Sequence, residues 1–113
     1  MNREELRVIG QRAVEGLRPE DTVKYFLELC ETGLSREQIY IVARMILFRQ
    51  CGEVSDEVAT EIGEFLSGLT GECQSDYIVK IKADPPGLVG DDFVRHVRGN
   101  QWSSNTPEWP SID

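Results

Sequence analysis

The residues from Arg36 to Cys51, REQIYIVARMILFRQC, decide what kind of fold this chain adopts. Ile39, Val42, Ala43 and Ile46 recur at the i, i+3, i+4, i+7 spacing of one helix face. Ile41, Met45, Leu47 and Phe48 fill the other faces, so a helix here is apolar nearly all round. Such a helix must be enclosed by others, and the stretch predicts the central element of a domain. Ser35 just ahead of it and Gln38 within its first turn have the spacing of a capping box.

Gly33, Gly52 and Gly71 stand nineteen residues apart, each closely followed by serine, in TGLS, CGEVS and TGECQS. Glycine closes a helix by taking positive φ without a Cβ clash, and serine caps the next one. The pattern predicts helix, short turn, helix, with successive helices packed antiparallel. A first helix runs from the Asn2 and Glu5 capping pair to about Leu17, with Leu6, Ile9, Ala13 and Leu17 on one side. A second begins at Pro19 and turns Val23, Phe26, Leu27 and Cys30 to the core. A fourth, about Asp56 to Thr70, packs through Val58, Ile62, Phe65, Leu66 and Leu69.

Residues 75–88, SDYIVKIKADPPGL, carry two signals. Alternation of Tyr77, Val79 and Ile81 with Ile78, Lys80 and Lys82 suggests a strand, for which no partner strand is evident. The serine series instead predicts a short helix ended by Pro85 and Pro86. A last helix follows over Asp91 to Arg98, acidic at its start and basic at its end, as its dipole favours. From Asn100 the sequence loses all period. The expected fold is therefore all-α: a compact antiparallel bundle, or a short helical-pair stack, of five to six helices. It forms a single domain over 1–99, with a polar C-terminal tail over 100–113 whose Trp102 and Trp109 dock back, meet a partner or hang free.

Net charge is −8, from 20 acids against 12 bases in 113 residues. Nucleic acid and anionic membranes are disfavoured as direct partners, and a basic protein is favoured. No apolar run approaches the roughly 20 residues of a membrane span, and MNREELRVIG has no signal-peptide core, which together predict a cytoplasmic protein. Cys30, Cys51 and Cys73 form no CxxC pair and read as inert, mostly buried thiols.

Catalytic signatures are absent: His96 is the sole histidine, and no GxSxG or glycine-rich phosphate loop occurs. Asp92 and His96 at i, i+4 suit a surface ion pair better than an acid–base pair. No enzymatic activity, metal or cofactor is expected. What remains is Gly52–Val79, which holds seven acids and no lysine or arginine. Glu57, Glu61 and Glu64 lie at i, i+4, i+7 and form one stripe, with Glu53 and Asp56 ahead of it. Arg36, Arg44 or Arg49 from the third helix could neutralise the stripe within the fold. Left bare, it would steer a cationic partner.

The expected function is a small acidic protein-binding domain, an inhibitor or immunity-type protein that occludes a basic partner such as a nuclease toxin. Its contacts would be Glu53, Asp56, Glu57, Glu61 and Glu64, with Tyr77 as an aromatic anchor. The alternative is a structural or assembly subunit or adaptor acting through helical oligomerisation, with a homo-oligomer as its product.

Overall fold

Residues 1–99 are described by a computed structural model, and they contain five α-helices, one 3-10 turn and no strand. The helices are α1 (Arg3–Val14), α2 (Pro19–Leu29), α3 (Arg36–Leu47), α4 (Asp56–Thr70) and α5 (Gly90–Arg98). The tail over 100–113, with Trp102 and Trp109, lies outside the described residues.

The starts of the helices follow local chemistry. Asn2 Oδ1 accepts the Glu5 N–H at 2.9 Å to cap α1. Ser35 and Gln38 form a reciprocal capping box on α3. Ser55 Oγ accepts the Val58 N–H at 3.2 Å at the head of α4. Pro19 sits in the first turn of α2, where its missing N–H has no partner to lose. Each satisfied terminal donor is worth about 1 kcal/mol.

The glycines of the nineteen-residue series do take positive φ: 91° at Gly33, 130° at Gly52 and 80° at Gly71. Only Gly71 caps its helix, however. α2 ends at Leu29 with Cys30 as its cap, short of Gly33, and α3 stops before Gly52, because Arg49 enters the left-handed region at φ 58°. The Gln50 N–H then reaches Met45 O at 2.9 Å and the Arg49 N–H reaches Ile46 O at 3.0 Å. That is a Schellman closure with arginine where glycine is usual. The early stop leaves Phe48 outside the core, 54% exposed.

Packing is between alternate as well as neighbouring helices. α3 is the centre: α1 packs on one side of it and α4 on another, while α2 packs on α4. Short turns therefore did not make every successive pair the main contact. Ile39, Ile41, Val42, Ala43 and Ile46 of α3 are fully buried, as an all-round apolar helix requires. Against them lie Leu6 of α1, Phe26 of α2 and Ile62, Phe65, Leu66 and Leu69 of α4. Phe26 and Phe65 stack at 4.9 Å, a pairing worth about 1 kcal/mol beyond burial. A smaller cluster of Ile78, Phe93 and Val97 seats α5. Leu27, expected in the core, is 46% exposed, because the face of α2 that turns inward carries Thr22, Phe26 and Leu29.

Residues 75–88 satisfy both sequence signals in part. Ser75–Tyr77 form a single 3-10 turn, and the chain beyond it is extended without belonging to a sheet. Helix ends replace the missing strand partner: the Val79 N–H donates to Gly68 O and the Lys82 N–H to Cys30 O, both at 2.9 Å. Ile78 and Ile81, three residues apart, are buried while Tyr77, Lys80 and Lys82 are exposed, so the inward residues do not follow the alternation by twos expected of a strand. The predicted short helix is thus one turn only. Prolines 85 and 86 follow a turn rather than end a helix.

Candidate functional site

The carboxylates singled out in the sequence divide into two groups. Glu53 and Asp56 share one cation: Arg49 Nε stands 3.7 Å from Glu53 Oε2, and Arg49 Nη2 stands 3.1 Å from Asp56 Oδ1. The acids are 91% and 97% exposed, so these pairs contribute at most a few tenths of a kcal/mol each. Asp56 and Glu57 also occupy the first turn of α4, where its dipole favours anions. A local structural reason therefore exists for the head of the acidic segment.

Glu61 and Glu64 have no such reason. With Glu57 they fall within about 60° of one another around α4. Glu57 and Glu64 are exposed and Glu61 is half-buried. Among the described residues no lysine or arginine forms an ion pair with any of the three. Arg36 and Arg44, the other candidate neutralisers, are turned elsewhere. Arg36 is buried against Asp84, and Arg44 donates to the Tyr40 hydroxyl and lies 4.8 Å over the Phe48 ring. Of the three arginines proposed to silence the segment, only Arg49 does so, and only at Glu53 and Asp56.

Tyr77 is 69% exposed and does not stand apart from the stripe. It lines a groove of about 330 Å³ whose other walls are Val23 and Leu27 of α2, Glu64, Phe65, Ser67 and Gly68 of α4, and Cys73 and Val79. Glu64 and Tyr77 are thereby brought to one site, while Glu53 and Asp56 remain at the opposite end of α4. Gly68 makes the arrangement possible. A Cβ there would meet Tyr77 O at 2.9 Å and Val79 Cγ2 at 3.0 Å, so only glycine lets the extended chain cross α4 this closely. Sequence reasoning missed Leu27, Gly68 and Val79 as site residues. Gly68, inside an otherwise regular helix, was the available signal.

The groove has little chemistry of its own. Burial raises the Cys73 thiol above its ordinary value, against the opposing pull of Arg98, so the neutral thiol is favoured. Burial likewise raises Cys51, and pushes Cys30 up to about 11. All three cysteines are free.

A second cluster lies away from the groove. Arg36, 3% exposed, donates from Nη1 to Leu69 O at 2.9 Å and from Nη2 to Val79 O at 2.9 Å and Asp84 Oδ2 at 2.7 Å. Asp84 Oδ2 also accepts the Ile81 N–H, and Asp84 Oδ1 stands 3.6 Å from His96 Nε2. The expected Asp92–His96 pair is not what forms. Asp92 pairs with Arg95 at 2.6 Å, one turn along the exposed side of α5, and His96 turns inward to Asp84. This cluster clamps α3, α4, the extended segment and α5 together.

Among the described residues no helix is long and apolar enough to cross a membrane, and no group of three or more His, Cys, Asp or Glu side chains is set to hold a metal ion. No protein-family model, curated protein or solved structure matches the chain.

Proposed function

We propose that this chain is an inhibitor or immunity-type binding protein that covers a basic surface of another protein, such as a nuclease toxin or a nucleic-acid-binding protein. Glu57, Glu61 and Glu64 meet the partner's lysines and arginines, and Tyr77 is the aromatic anchor. The reading assigns the protein to the cytoplasm and gives it no catalytic step, no cofactor and no direct contact with nucleic acid or membrane.

One observation supports it above the others: three glutamates on one stripe of α4 have no cationic partner among the described residues. Like charges at i, i+4 cost a helix a few tenths of a kcal/mol, and a cationic partner converts that repulsion into attraction. Opposite potentials also accelerate encounter, in a manner that salt suppresses.

The test is a charge reversal, Glu57→Lys with Glu61→Lys and Glu64→Lys. Circular dichroism is expected to report nearly unchanged helicity, because Glu57 and Glu64 are exposed and a lysine at half-buried position 61 can extend its ammonium to water. Recovery of the partner from the native host on the tagged full chain is expected to be lost at physiological salt. Equal recovery by the wild-type chain and the variant removes the electrostatic mechanism.

A further inference from the structure

The groove beside the stripe narrows the kind of partner. Leu27 and Tyr77 are two of the few large apolar side chains that the fold leaves exposed, at 46% and 69%, and both line the same depression. Its floor is apolar, with Val23, Phe65 and Val79, and its size lies at the lower end for pockets that take an organic group. Glu64 stands on its rim, and Glu61 and Glu57 continue from it along α4 by one and two turns. On the α2 wall, exposed Glu20 precedes Val23 by three residues and shares its side of the helix.

Resting on the reading above, we infer that the groove and the stripe together receive a basic amphipathic helix, with an apolar residue in the groove and lysines or arginines against Glu57, Glu61 and Glu64. Carboxylates border an apolar hole, and a complementary partner carries cations around an apolar side chain. An uncharged apolar ligand gains nothing from the carboxylates, and a uniformly basic strand leaves Leu27 and Tyr77 in water. A helix presents both features at once, because its apolar and basic residues alternate by turns in step with α4. Interfaces of this sort concentrate their energy in the buried anchor, with charges setting rate and register.

The experiment uses the full chain and two synthetic peptides of leucine and lysine, titrated by calorimetry. One carries leucines along a single helical face; the other has the same lysines with serine at every leucine position. The amphipathic peptide is expected to bind more tightly by about tenfold or more. Leu27→Ser and Tyr77→Ser, both at exposed positions that folding tolerates, are expected to erase that advantage and leave the serine peptide's affinity unchanged. Phe48→Ser, an exposed apolar residue that does not line the groove, is expected to change neither. Equal affinity of the two peptides for the wild-type chain overturns the groove inference, while loss of both on charge reversal of the stripe still supports the electrostatic reading. Binding that survives charge reversal but fails in Leu27→Ser overturns the joint site. Binding that emerges only after Trp102→Ala and Trp109→Ala overturns it too, in favour of the chain's own tail as occupant.

Discussion

Arg36 Nη2 lies 2.7 Å from Asp84 Oδ2 across 48 positions of sequence, and the two side chains are only 3% and 10% exposed. The same guanidinium donates to Leu69 O at the end of α4 and Val79 O in the extended segment. One cation thus satisfies a helix C-terminal carbonyl and a backbone carbonyl outside regular structure, and its own charge is met by a carboxylate. Buried backbone acceptors of both kinds would otherwise go unpaired.

Removing the carboxylate is expected to be severe. Asp84→Ala leaves a buried guanidinium without its counter-charge, a defect that costs about 3–5 kcal/mol against a total of about 5–15 for a domain. Urea denaturation at neutral pH measures it. Arg36→Met with Asp84→Leu is expected to cost less than the sum of the singles, since neither charge is then stranded. Strict additivity in that cycle would mean the pair does not act as a unit.

Two glycines of α4 are expected to respond with opposite signs. Gly63 has open space where a Cβ would go, so Gly63→Ala gains about 0.5–1 kcal/mol of helix propensity. Gly68→Ala drives a methyl into Tyr77 O and Val79 and is expected to lose about 1–3 kcal/mol instead. Thermal unfolding of the two variants side by side decides it, and the second is also expected to weaken whatever binds the groove.

Arg49 holds a left-handed conformation that costs a residue with a Cβ about 1 kcal/mol. Arg49→Gly removes that cost together with two exposed ion pairs of small value. It is expected to be more stable than Arg49→Ala by about 1 kcal/mol, since alanine keeps the penalty. Both variants free Glu53 and Asp56 and are expected to steepen the salt dependence of association with any basic peptide, read by stopped flow at several ionic strengths.

Alkaline pH is expected to destabilise the fold through its thiols. Burial raises Cys30 from its ordinary 9.0 to about 11, so the folded chain keeps a proton that the unfolded chain gives up. The unfolded state therefore binds fewer protons between pH 9 and 11, and unfolding free energy falls across that window. Below it both states hold the proton and the contribution is constant. Cys30→Ala is expected to flatten this part of the curve, measured by urea melts along a pH series.

Much of the helix map was legible because its causes are local. The serines at 35 and 55, Pro19 and the five apolar residues of α4 act within one or two turns, and each did what its neighbours imply. Leu27, Phe48 and residues 75–88 went otherwise for tertiary reasons. Leu27 lies at the edge of a helix face whose limit is set by how α2 meets α4. Phe48 was stranded by a left-handed arginine. The extended segment found its hydrogen-bond partners at helix ends that lie far away in sequence. Of the candidate site, the glutamate stripe was visible as a spacing, and the groove was not.

The letters alone were enough to determine an all-helical chain, its central helix and its acidic side, because periodicity, caps and net charge are sums over near neighbours. Which carboxylates keep their charge bare, which apolar residues stay wet and where Tyr77 stands depended on contacts between residues 33 to 48 positions apart. Those contacts exist only once packing has chosen one arrangement among many that the same helices permit. Arg36 stands at the C-terminal end of α4, on Leu69 O, Val79 O and Asp84, and forms no ion pair with Glu57, Glu61 or Glu64.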